Sequence, residues 1–233
     1  MELVQKIPIL TTVIAAGFLF IILNHLKKKP DAKYLQWWAL GVFCYGLGTL
    51  IESCVSIFGW SPFLFKSWYI AGALLGGAPL AQGTVYLVMK EKIADKLSIA
   101  LILVIVSTSI LVILSPLDLS KSEAFRLSGS VLEWQWIRGI TPFINIYAFI
   151  FLVGGAIYSA WRYSKNPIYK NRAWGNILIA IGGILPGIGG SFSKFGHTEV
   201  LYVTELHGII LIIFGYMIIR NDQSLSIYEV QRT

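Results

Sequence analysis

Apolar residues fill seven long stretches of this chain, and short polar breaks separate them over most of its 233 residues. A helix needs roughly 20 mostly apolar residues to cross a bilayer, because the hydrocarbon core is about 30 Å thick and the helix rises about 1.5 Å per residue. By that measure the pattern predicts spans at 5–26, 34–58, 65–89, 97–115, 137–161, 173–192 and 199–219. Backbone inside lipid must satisfy its own hydrogen bonds, so each stretch is expected to be helical. The expected fold class is all-α: a seven-transmembrane-helix bundle over residues 1–220, followed by a short cytoplasmic tail, 221–233. No internal repeat, low-complexity segment or second domain interrupts the pattern.

The polar breaks are not alike. Lys27, Lys28, Lys29 and Lys33 lie between spans one and two, and Lys90, Lys92 and Lys96 between spans three and four. Arg162, Lys165, Lys170 and Arg172 lie between spans five and six, and Arg220 and Arg232 follow span seven. These alternate breaks hold 13 of the 19 basic residues; Lys6, Lys66, Lys121, Arg126, Arg138 and Lys194 are left for the other side. An excess of Lys and Arg marks the cytoplasmic side. The expected orientation therefore has the N-terminus outside and the C-terminus inside, in a multi-pass protein of the cell membrane. Composition agrees, with 56% hydrophobic residues, 13% charged and a mean hydropathy of +0.70. The net charge of +7 follows from the basic helix ends and does not point to nucleic acid. The first span begins close to Met1 and carries its positive flank on the C-terminal side, which reads as a retained anchor rather than a cleaved signal.

One connection is long. Residues 116–136 follow Ser115-Pro116 and carry Asp118, Lys121, Glu123, Arg126 and Glu133. A short interfacial helix is expected between Leu119 and Leu132, with Trp134 and Trp136 at the membrane boundary. Trp37, Trp38, Trp68, Trp161 and Trp174 lie near other span ends and read as an aromatic belt.

Small residues gather in spans three and six. Gly72 and Gly76 are four apart, with Gly77 and Gly83 following; Gly183 and Gly187 are four apart, flanked by Gly182, Gly189 and Gly190. Such spacing lets helix backbones approach closely. Pro79 and Pro186 interrupt the hydrogen-bond ladder of the same two spans and are expected to bend them.

Ionisable groups inside a span are costly and draw attention to function. Glu52 in span two and Glu205 and His207 in span seven form a set by depth, roughly 9–12 Å below the outer surface. Arg138, entering from the outer end of span five, is within range of that level. Glu52 continues a polar stripe of Tyr45, Thr49 and Ser56 at helical spacing. Glu205 and His207, two residues apart, diverge by about 200° around the helix and cannot both face one small pocket. These four residues are the candidate ligand- or proton-binding groups, with a structural polar cluster as the alternative. No metal-ligand spacing appears, His25 and His207 lie at different depths and make no axial pair, and the cofactor is left unknown. The seven-helix, N-outside layout resembles that of retinal proteins, but span seven has no lysine to hold the pigment. Cys44 and Cys54 are about 15 Å apart on one helix, too far for a disulfide.

The expected function is binding or sensing in the outer half of the bundle, or service as an accessory subunit beside other membrane chains. No catalytic residue is assigned. A transporter or proton-coupled protein is the alternative, and an intramembrane hydrolase the third reading.

Overall fold

The computed structural model describes residues 3–222, so nearly all of the predicted tail lies outside the described residues. Seven helical units are long and apolar enough to cross a membrane, and no strand forms among the described residues. Span one is α1 (Ile7–Lys28) and span two is α2 (Lys33–Phe58). Span three comprises α3 (Pro62–Trp68), a π-helical turn (Tyr69–Leu74) and α4 (Ala78–Val88). Span four is α5 (Glu91–Leu114). Span five joins a 3₁₀ turn (Gln135–Gly139), α6 (Thr141–Ala148), a second π-helical turn (Phe149–Gly154) and α7 (Gly155–Ser164). Spans six and seven are α8 (Lys170–Lys194) and α9 (Thr198–Arg220). The long connection and the α8–α9 turn share one end of the bundle, called here the loop end; the lysine-rich connections share the other, the basic end.

Proline sets several of these boundaries. Pro8, Pro62, Pro79 and Pro142 each stand at one of the first two positions of a helix. There the missing N–H would have had no partner anyway, and the fixed φ suits the helix. The bend expected at Pro79 is therefore a break: span three stops after Leu74, and Pro79 opens a new helix. Pro186 behaves differently, for α8 runs through it from Lys170 to Lys194. Its ring frees the carbonyl of Gly182, one turn earlier, from the helix ladder.

That carbonyl lies against span seven. A Cβ on Gly208 would fall 2.8 Å from the Gly182 oxygen and 3.1 Å from Cδ of Pro186, and a Cβ on Gly182 would fall 2.6 Å from the Gly208 oxygen. Gly175 faces Gly215 in the same way, and Gly189 faces Leu201. The close approach thus uses glycines spaced by sevens, Gly175, Gly182 and Gly189, and not the four-spaced Gly183 and Gly187. Gly183 turns toward Leu152 and Val153 of span five, and Gly187 approaches nothing within 4 Å. Spans two and three meet at Gly48 and Gly72, where a Cβ on the first would lie 3.1 Å from Cα of the second.

The connection after α5 forms no interfacial helix. Two 3₁₀ turns, Leu119–Lys121 and Gly129–Val131, stand in its place, and the ends pair through Leu117 and Leu132. Asp118 and Ser128 accept hydrogen bonds from the backbone N–H two residues on, which closes turns rather than extending a helix. The segment then folds back: Leu127, Val131 and Leu132 are buried with Phe65, Val112 and Ile137 in a core at the loop end. A second core nearer the basic end joins Phe18, Ile22, Trp38, Val42, Leu80, Ile209 and Ile212. Outward-facing positions of the spans are apolar, as at Leu103, Ile110, Phe149 and Phe214, and suit contact with lipid.

Candidate functional site

The polar stripe on α2 faces into the bundle. Tyr45, Thr49, Glu52 and Ser56 are all buried, Glu52 with only 3% of its surface exposed. Each has a partner on a different element. The Thr12 hydroxyl of α1 donates to Thr49 at 3.0 Å, and the Tyr45 hydroxyl donates to the backbone carbonyl of Glu205 at 2.7 Å. Ser56 neighbours the Tyr202 hydroxyl of α9.

Glu52 is the centre of this arrangement. Its Oε1 accepts the indole N–H of Trp68 at 2.9 Å, and its carboxyl lies close enough to the carboxyl of Glu205 for the two to act directly on one another. No N–H or hydroxyl of a described residue reaches its buried Oε2. Among the described residues neither carboxylate is ion-paired with a lysine, arginine or histidine. The two acids approach because α2 and α9 run in opposite directions: six residues from Glu52 to the end of α2 and seven from the start of α9 to Glu205 give matching depths of about 9–10 Å from the loop end.

The other two sequence candidates lie elsewhere. His207 is exposed on the outside of α9, and its Nδ1–H donates to the Val203 carbonyl at 2.8 Å. The angular divergence of positions 205 and 207 accounts for this. Arg138 donates to Gln135 at 2.7 Å and lies beside Gly129 in the folded-back connection. Its helix start is preceded by a 3₁₀ turn that keeps it at the loop end, off the level of the acids.

Other contributors were not singled out from sequence. Trp68, expected in the aromatic belt, instead donates to Glu52, and Trp38 is buried in the core. Tyr202 stands one turn before Glu205 on the same face of α9; the spacing of three was the available signal. Arg126 reaches from the long connection to the Ser193 carbonyl at 3.1 Å and is close enough to Tyr202 and Glu199 to act on both electrostatically.

A second polar group occupies the basic end. Lys33 bridges Glu91 at 2.8 Å and Asp95 at 2.9 Å, and the Tyr86 hydroxyl donates to Asp95 at 2.7 Å. One turn deeper, fully buried Gln82 donates to the Ala94 carbonyl at 2.9 Å and accepts from Tyr147. These bonds tie α2, α4, α5 and α6 together. Among the described residues no three His, Cys, Asp or Glu side chains come together as a metal set, and both cysteines are free.

The chain matches no family model, no curated protein and no solved structure. Its functional reading therefore stands on the Glu52–Glu205 pair and what surrounds it.

Proposed function

We propose that this multi-pass protein binds a proton between Glu52 and Glu205 and senses its arrival or loss, with the loop end outside the cell. The closeness of two carboxyls inside the bundle, Glu52 buried and Glu205 half-buried, carries the reading. Two ionised carboxylates at hydrogen-bonding range repel strongly in a low-dielectric interior, whereas one proton between them makes a donor and an acceptor. The unpartnered Oε2 of Glu52 gives that proton a place to bind. Tyr45 and Trp68 hold the acids on two sides, so that adding or removing the proton alters the contact between α2 and α9 rather than merely turning a side chain.

The basic-end excess of Lys and Arg supports the proposed orientation. The sensing form is preferred to transport because the core below Tyr45 is closely packed with apolar side chains: Val42, Trp38, Ile209, Ile212 and Phe18 are each at most 5% exposed. A second membrane chain, in the accessory-subunit form of the reading, would receive the change through the apolar outer faces.

Infrared spectroscopy of the protein in liposomes tests the proposal. A carbonyl-stretch band of a protonated carboxyl is expected at neutral pH, absent from Glu52→Gln and from Glu205→Gln. A spectrum with no such band, or one unchanged by both substitutions, would overturn it.

A further inference from the structure

The surroundings of the acid pair differ at its two ends. Toward the loop end, two polar files lead away from it. On α2 and its exit the file is Glu52, Ser56 and Trp60; on α9 it is Glu205, Tyr202 and Thr198. Glu52 and Ser56 share one face of α2, with Trp60 following the Gly59 turn that ends the helix, and the three α9 residues share one face at spacings of three and four. The Tyr202 hydroxyl neighbours Ser56 and lies within electrostatic reach of both carboxyls and of Arg126. Buried polar atoms that lack a hydrogen-bond partner among the described residues are Nε1 of Trp60, Nε of Arg126, Oγ1 of Thr198, Oε2 of Glu52 and Nε1 of Trp38. All but the last lie in these files or at their mouth. Buried polar groups are normally satisfied by protein or by ordered water, so a cluster of open ones marks where water enters. Trp38, the exception, is pressed against Gly83, where a Cβ would lie 2.8 Å from its Nε1.

Toward the basic end the α2 stripe continues only to Thr49 and Tyr45, whose hydroxyls are engaged, Thr49 donating to the Gly46 carbonyl and accepting from Thr12. Tyr45 spends its hydroxyl on the Glu205 backbone, and the packed apolar core follows for about 10 Å along α2 to Trp38.

From this asymmetry we infer that the acid pair exchanges its proton with the loop-end side alone, through Tyr202 and Ser56, with Arg126 at the mouth. The inference rests on the proton-binding reading and gives it a direction: the protein senses acidity on one face of the membrane. Each hydroxyl in the relay gives up the proton it holds as it accepts another, so the relay returns unchanged and one proton has moved. Among the described residues the titratable or charged groups facing the pair are Tyr45 and Tyr202, and the mouth holds Arg126, ion-paired with Glu123 at 2.9 Å and near Glu199. Tyr202 and Ser56 are positioning residues for the proton, and Arg126 sets the charge it meets on the way in.

The test uses the full chain in liposomes of uniform orientation, the sidedness fixed by labelling Ser122→Cys with an impermeant maleimide. The pH is stepped on one side at a time while the carboxyl band lost in Glu52→Gln is followed. Wild type is expected to respond to steps on the loop-end side and to ignore steps on the basic side. Tyr202→Phe and, independently, Ser56→Ala should slow the response tenfold or more with the final amplitude kept. Arg126→Gln should move the midpoint to higher pH, because a cation near the path opposes proton binding; a residue with only a structural role would leave the midpoint in place. A band that follows pH on the basic side, or rates unaltered in both hydroxyl variants, overturns the one-sided relay while the carboxyl pair stands. A wild-type protein lacking the band overturns both.

Discussion

Trp68 donates its indole N–H to Oε1 of Glu52 at 2.9 Å, joining the first segment of span three to the buried acid of span two. The bond reaches a carboxyl with few other donors, so its loss is felt. Trp68→Phe keeps most of the ring but leaves that oxygen unsatisfied, at a cost of about 1–3 kcal/mol. The expected result is a lower melting temperature in detergent. In a double-mutant cycle with Glu52→Leu the penalty should shrink, since the acceptor is then gone; equal penalties in both backgrounds would show that the bond contributes nothing.

Gly182 and Gly208 bring the backbones of α8 and α9 together at the freed carbonyl beside Pro186. Gly208→Leu must drive the helices apart or displace Pro186, and overpacking of this kind costs about 1–3 kcal/mol. Gly187→Leu, on the same helix but without a close neighbour, should leave thermal stability in detergent nearly unchanged. The contrast between the two melting shifts is the measurement; similar shifts would contradict the described packing.

His207 and Arg138 are separated from the acid pair. His207→Leu and Arg138→Gln are expected to leave the protonated-carboxyl band where it is in wild type. A displaced or missing band in either variant would place that residue at the acids after all.

Asp118, in the connection outside the spans, is hydrogen-bonded by Ser120 and paired with Lys121 at 2.8 Å. The Lys121 ammonium, with help from Ser120, holds the Asp118 carboxyl below its ordinary range. The sign follows: a depressed carboxyl supports the turn above its unfolded titration range and loses that support only as pH falls through the lower folded value. Asp118→Asn should therefore loosen the turn at neutral pH yet match wild type in strong acid, as read from proteolysis of the loop by an enzyme active across that range. An equal difference at both pH values would contradict the assignment.

The architecture was legible because lipid imposes a length and a polarity that the chain spells out directly. Depth was legible too: counting residues from helix ends put Glu52 and Glu205 on one level. Azimuth was only partly so. The two-residue offset of His207 announced its divergence, but nothing in a single helix reveals which neighbour it faces, and Arg138 was misplaced because a 3₁₀ turn precedes its helix. Trp68 was hidden by its type, since tryptophan near a span end is common at the membrane boundary. The seven-residue glycine series was obscured by the denser four-residue spacing beside it. Proline could be located but not interpreted, for Pro79 opens a helix and Pro186 sits within one.

The glycine series on α8 and α9 has an ambiguity built into it. Sliding one helix by seven residues would again set glycine against glycine, Gly182 on Gly215 and Gly189 on Gly208. The repeat alone thus admits more than one alignment. What selects the observed one is the three-residue turn, Phe195, Gly196 and His197, tightened by the positive φ of 104° at Gly196. So short a tether cannot span the offset of about 10 Å that a slipped pairing would demand. The turn therefore acts as the ruler for the hairpin, and through it decides that Glu205, rather than a residue two turns away, arrives opposite Glu52.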